Sequence, residues 1–561
     1  MTSSHRRLIS RALLAVSLVS ALALIAACSS EEGSKSDPGA GGSSGPASGG
    51  ASSGGGNAGG ANSGGGNAGG ASAGGTGGAV VVPDAGFNAA LDLKAYGSNG
   101  TNGLEWNAIE GAESYRLYFS TGASVSQADT SVTVSAPRLT HVHRALTNGT
   151  LYRYIVTAVI GGSESAPSNE ATATPTGEWV LEEFGSGSIE DITTGAQAPR
   201  IPIAQRLHLL LFAEGYTAAD LPTLHDHADH DGERQNDVDR WTDLVFSIEP
   251  YTAFREAFVV WYLPRASNTD INGGDTAFMV PLDGVGVGNF GDSPELASRA
   301  WAAIGEHMFP PTDFSGGGFG SARNHVASFL MFDPERGRAG VSGRAGGLEN
   351  PADGERISAA FGVGHAHEFT HAFSGLRDEY LEDDNNAPGN WSGTSNVVGT
   401  NQCAELPWAH LLSGGAFNPT TAELVGAFGV PAIGYHSELL CLLNGTHDNA
   451  VYYGGDGLLR VEDRMCNFCR ETTAFRIYQR GGLLENDDPG FDAWVSSYRA
   501  AFYERFGFAI PEVVPQTNDP RDQAAGEPVY EACSAARKAP AASKRVAPAS
   551  GTRASGCIIE N

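Results

Sequence analysis

The sequence predicts a multidomain chain in which an all-β sandwich precedes an α/β domain, and three observations carry that expectation. Short alternating strands run from about residue 90 to 175; longer apolar strands alternate with helical stretches after Thr176; and one stretch carries His367-Glu368-Phe369-Thr370-His371. At 561 residues the chain is too long for one compact core, so two or three domains are expected. Its 35 basic against 64 acidic residues give a formal charge of −29, which argues against nucleic acid and anionic surfaces as partners.

Residues 1–28 read as an export signal. Arg6, Arg7 and Arg11 form a positive start, and an apolar run follows from Leu13 to Leu24. The end, Ile25-Ala26-Ala27-Cys28, resembles the bacterial lipobox. That resemblance implies a lipid on Cys28 and a protein anchored to the bacterial outer membrane or cell surface. Residues 29–87 are almost wholly Gly, Ser, Ala and Asn, with near-repeats at 55–61 and 65–71. Such a segment buries nothing and is expected to act as a flexible leash reaching roughly 40 Å.

In residues 88–176, strand candidates fall at Leu104–Trp106, Tyr115–Phe119, Ser131–Val134 and Tyr152–Val159, separated by turn residues. The placement of Trp106, Tyr115 and Leu146-Thr-Asn-Gly-Thr-Leu-Tyr152 is similar to a fibronectin type III domain, which implies Trp106 in the core and Tyr152 at a corner. No constellation of reactive side chains appears there, so it reads as a spacer or adhesion module.

Residues 177–511 hold the chemistry. Arg206–Phe212, Phe258–Leu263 and Ala327–Phe332 are buried-strand candidates, and the alternation with helices predicts a twisted mixed sheet between helical layers. On a helix, His367 and His371 at i and i+4 share one face, so two imidazoles can converge on one cation. Glu368 is placed to reach a water beside that cation without ligating it. The apolar residues from Ala359 to Phe373 suggest a buried helix, weakened at Gly362 and Gly364, and Gly375 supplies its stop. Asp378, Glu379 and Tyr380 follow as oxygen-bearing side chains.

This run, with the upstream order of strand, Glu214-Gly-Tyr-Thr217 turn, long helix, Ile-Glu-Pro-Tyr251, strand and Ser267, resembles the IgA peptidase-like family of bacterial zinc metallopeptidases over roughly residues 178–508. The resemblance implies an α/β zincin-type metallopeptidase domain whose helix carries the H-E-x-x-H motif and binds Zn2+. Its ligands would be His367, His371 and an acid, Asp378 first and Glu379 next, with Glu368 as general base. A protein or peptide is the implied substrate. The alternative reading is a non-catalytic surface-binding lipoprotein that uses the fibronectin-like domain.

Six cysteines follow residue 28: Cys403, Cys441, Cys466, Cys469, Cys533 and Cys557. In an exported protein an even number favours disulfides. Cys466 and Cys469 read as bridging residues, because no second C-x-x-C completes a zinc site. His225, His227 and His230 do not share a helical face and read as part of a solvated helix. His365 points away from the site face, residues 337–354 read as a loop facing substrate, and Met465 as core or as a residue beneath the metal. Tyr380 and Tyr435 are both candidates to stabilise an oxyanion. Residues 512–561 read as a low-complexity tail that a Cys533–Cys557 pair would close.

Overall fold

The computed structural model describes residues 91–509, apart from 197–199, 226–237, 284–285, 289–292, 315–320, 333–342, 363–365, 380–394, 413–415, 418–424, 431–433, 439–440, 444–463 and 485–487. The expectations at Cys28, His227, His230, His365, Tyr380, Cys533, Cys557, the leash and the tail lie outside the described residues.

Alternating side chains build the first domain. Along Ser114–Ser120, Tyr115 and Leu117 are buried while Arg116 is exposed, and Leu117 faces Val156 across the ladder to Tyr152–Ile160. That period of two gives a sheet one wet and one dry face. This sheet runs Thr130–Ser135, Ser114–Ser120, Tyr152–Ile160, Ser163–Glu164, with Ala171–Ala173 also on Tyr152–Ile160; a second runs Lys94–Ser98, Thr101–Glu105, Thr140–His143. Trp106 is fully buried between them, 5.5 Å from the Tyr115 ring. The Tyr152 hydroxyl accepts from the Thr147 backbone N–H at 3.2 Å, a bond back to the chain just upstream that holds the corner.

The second domain is organised on a six-stranded sheet ordered Arg344–Glu349, Arg356–Gly362, His325–Met331, Leu207–Glu214, Phe258–Leu263, Val180–Phe184. The inner four strands are mutually parallel and both edges antiparallel. Every residue of Leu207–Glu214 and of His325–Met331 is buried, as parallel strands covered on both faces require. Leu209, Leu211 and Ala213 pack with the helices Val238–Ser247, Ala366–Ser374 and Asn467–Arg480 on one side, whereas Leu210 and Phe212 pack with Pro294–Gly305 on the other.

Two expectations need correction. Ser358 to Gly362 is not the first part of the site helix but the end of the strand Arg356–Gly362, and the helix begins at Ala366. Ile357, Ala359 and Phe361 serve one face and Ala360 the other, so an all-apolar run that composition cannot assign becomes a strand because His325–Met331 and Arg344–Glu349 flank it. Residues 344–349 of the expected loop are an edge strand.

The Glu214 turn is tied to distant parts of the chain. The buried Glu214 carboxylate accepts from the Thr276 hydroxyl at 2.5 Å and from the N–H groups of Phe278 and Val280 at 2.8 and 2.9 Å. Gly215 has φ +79°, and a Cβ there would meet the Phe332 carbonyl oxygen at 2.7 Å, so only glycine fits.

The sandwich is seated on the second domain and is not a detached spacer. Asn99 N–H donates to the Trp179 carbonyl at 2.8 Å, and the Thr140 hydroxyl to the Phe184 carbonyl at 2.9 Å. The buried Arg206 guanidinium meets Glu105 at 2.5 Å and also donates to the Ile201 and Gly185 carbonyls, so its charge is compensated within the seam.

Candidate metal centre

The site helix is held by its apolar face. Phe369 packs edge-on against Trp241 at 5.1 Å and tilted against Tyr251 at 5.3 Å, and the Tyr251 hydroxyl meets Thr370 Oγ1 at 3.3 Å. Its C-terminal carbonyls find cations: Arg476 donates to the Ser374 carbonyl at 3.2 Å and Arg480 to that of Ala372 at 3.4 Å. Gly375, at φ +68°, donates its N–H to the His371 carbonyl at 2.9 Å and ends the helix. The chain then turns back toward the helix.

That reversal brings three ligand atoms together. His367 Nε2 and His371 Nε2 lie 2.9 Å apart, and Asp378 Oδ1 lies 3.1 and 3.0 Å from them. Each ring commits its other nitrogen to the backbone: His367 Nδ1 donates to the Leu442 carbonyl at 2.7 Å, and His371 Nδ1 to the Leu376 carbonyl at 2.8 Å. With Nδ1 protonated, both neutral rings turn a lone pair toward the same point that the carboxylate faces. Three acceptors so placed call for a proton or a metal cation between them. Burial opposes charging these rings, yet the Asp378 and Glu368 carboxylates lift both above the usual imidazole range, His371 to about 9. Burial pushes the Asp378 carboxyl up as well, but the two imidazoles outweigh it and hold it well below the usual range.

The donor set fits zinc. Two imidazoles and one carboxylate are ordinary ligands of that ion, and a tetrahedral ion with bonds of about 2.0–2.1 Å places neighbouring ligand atoms about 3.3 Å apart, close to the spacing found. Glu368 sits one residue after the first imidazole on the same helix, and a Cβ on Gly343 would meet its Cγ at 2.3 Å and Oε1 at 2.5 Å. A glycine is therefore what lets the approach to the edge strand pass over this carboxylate.

Asp378 and Glu379, alternatives from the sequence, go to different places. Asp378 faces the imidazoles, whereas the fully buried Glu379 turns to Cys441, Cys466 and Cys469. The turn between them is clamped by Asn396, which accepts from the Arg377 N–H at 2.8 Å and donates to the Arg377 carbonyl at 2.7 Å and to Glu379 at 3.0 Å. Nothing in the sequence singles out Asn396 or the Leu442 carbonyl, since both act through long-range contacts. Tyr435 lies in the short hairpin Phe428–Val430 with Gly434–His436, its backbone paired with Val398. Met465 is buried and accepts from the Thr473 hydroxyl at 3.5 Å, a core placement.

The cysteine expectation is overturned for three of the four described cysteines. Cys403 is disulfide-bonded, but Cys441, Cys466 and Cys469 are free and buried. His225 ends a 3-10 turn, Leu221–His225, and pairs with Asp239 at 3.1 Å.

Comparison with known proteins reaches little of this chain. No family model matches. An amylopullulanase from Thermoanaerobacter thermohydrosulfuricus is 39% identical over 106 residues, which is 18% of this chain and 7% of that protein. Among solved structures, a Fn3-like protein from Clostridium thermocellum is 30% identical and covers 15% of this chain and 88% of its own, with TM-score 0.14. The fn3 domain of human collagen alpha-1(XX) is 21% identical over 15% of this chain and 81% of its own, TM-score 0.14. Fibronectin type III-like neighbours thus exist for a small part of a β-rich, multidomain chain.

Proposed function

We propose that the chain is a zinc metalloendopeptidase of zincin type that hydrolyses peptide bonds of extracellular proteins. The observation that carries this reading is the convergence of His367 Nε2, His371 Nε2 and Asp378 Oδ1 within 2.9–3.1 Å, with both Nδ1 atoms already committed to carbonyls. When bound, zinc supplies the acidity that makes a water nucleophilic near neutral pH and polarises the scissile carbonyl. Glu368 takes the proton from the attacking water and passes it to the leaving amine. Asp378 and the Leu442 and Leu376 carbonyls fix the two imidazoles in the ligating orientation. Among the described residues the strand Arg344–Glu349 is at the edge of its sheet, and an extended peptide can add to such an edge through main-chain bonds.

The IgA peptidase-like resemblance supports the same reaction class through Gly375-Leu-Arg-Asp378-Glu379-Tyr380, and says nothing of the protein cleaved. The lipobox-like end at Cys28 supports export and a lipid anchor at the cell surface, with the Gly/Ser/Ala leash between lipid and domains. The test of the reaction is Glu368→Gln. Zinc content is expected to stay while casein digestion falls about 10²–10⁴-fold; full digestion by the zinc-loaded variant would remove Glu368 from the mechanism.

A further inference from the structure

Beside the imidazole site lies a second cluster of ligand atoms. The sulfurs of Cys441, Cys466 and Cys469 and a carboxylate oxygen of Glu379 all lie within 4.8 Å of one another, and all four residues are buried. A tetrahedral ion with zinc–sulfur bonds of about 2.3 Å sets sulfurs about 3.8 Å apart, within that span. We propose that Cys441, Cys466, Cys469 and Glu379 hold a second zinc ion in a closed, four-ligand structural site.

Three features favour an ion over packed thiols. Backbone N–H groups already point at sulfur: Cys466 N–H to Cys441 Sγ and Cys469 N–H to Cys466 Sγ, each at 3.3 Å, with the Ser437 hydroxyl also 3.3 Å from Cys466 Sγ. Such donors suit thiolates and are weakly used by neutral thiols. Cys466 caps the N-terminus of the helix Asn467–Arg480, where the helix dipole favours negative charge. Finally, Glu379 Oε2 is buried with no hydrogen-bond partner among the described residues; His436 Nδ1, 3.4 Å away, donates instead to the Glu438 carbonyl at 2.9 Å.

The site would brace the first one. Cys441 is followed by Leu442, whose carbonyl orients His367, and Glu379 follows Asp378 and donates its N–H to the Leu443 carbonyl at 2.8 Å. An ion binding Cys441 and Glu379 therefore ties together the two segments that set an imidazole and the carboxylate ligand.

Metal content of the full chain tests this independently of the peptidase reading. His367→Ala/His371→Ala, purified in zinc, is expected to keep about one zinc per chain, with a sulfur-dominated shell near about 2.3 Å by X-ray absorption. Cobalt in the same variant is expected to give an intense thiolate charge-transfer band, which Cys469→Ser added to it should largely remove. If the double variant takes up neither zinc nor cobalt, or if mass analysis of the wild type shows two of the three cysteines joined as a disulfide, the second site is wrong. Wild type that holds only sulfur-bound zinc would instead refute the first site and leave this one standing.

Discussion

Two groups of imidazoles sit in the second domain, and they are built differently. In the first, His208, His307 and His325 crowd together, with the His208 and His325 rings stacked 4.6 Å apart. His208 spends both nitrogens, donating to the Ile203 carbonyl at 2.8 Å and accepting from Trp261 Nε1 at 3.1 Å, while His325 Nε2 donates to the Phe309 carbonyl at 2.7 Å. Among the described residues no carboxylate joins the group. In the second, His367 and His371 give Nδ1 to carbonyls, and Asp378 stands where their Nε2 atoms meet. The first group is buried throughout, whereas in the second His371 is buried and His367 and Asp378 are half-buried. His307 also gives Nδ1 to a carbonyl, that of Phe309 at 2.9 Å, so what separates the two groups is the carboxylate that closes the second.

The largest effects should separate the two groups outright. His371→Ala is expected to abolish zinc binding at the imidazole site and to lower casein digestion by at least about 10³-fold, whereas His325→Phe is expected to leave both unchanged in whatever protein folds. Metal analysis and digestion of the two purified variants check this. A smaller loss should come from Gly343→Ala, whose methyl would press on Glu368. Up to about 10²-fold in kcat is expected with zinc retained, since a misplaced base costs roughly that much.

Acid should act on the packing group. Burial pushes His307 down to about 4, and burial with the neighbouring His307 pushes His325 to about 3. Both folded values lie below the ordinary 6.5, so this stability is fully present above pH 6.5 and is lost as pH falls toward 4. The expected loss is about 1.4 kcal/mol per pH unit per ring, read by denaturant unfolding at pH 7 and pH 5. His325→Phe should flatten that slope. The smallest change is Gly375→Ala, which forces a side chain into φ +68° and is expected to cost about 1 kcal/mol in the same unfolding measurement.

Local patterns carried much of this, and their reach has a physical limit. The strands at Tyr115, Tyr152, Leu207 and Phe258 were legible because alternation or an all-apolar run marks them, and Gly375 because a helix stop is a local event. Strand against helix at Ser358–Gly362 was not legible, since its neighbours in the sheet come from residues 325–331 and 344–349. The i, i+4 spacing announces two imidazoles on one face, yet whether Asp378 or Glu379 meets them depends on a turn clamped by Asn396. The cysteine cluster escaped for the same reason: Cys441 joins Cys466 and Cys469 singly, and no spacing rule pairs it with Glu379.

The most direct measurement is casein digestion by the purified full chain before and after zinc is stripped with a strong chelator, then with zinc restored. Digestion is expected to disappear on stripping and return with zinc. Undiminished digestion by a chain shown to be zinc-free would contradict the account at its centre.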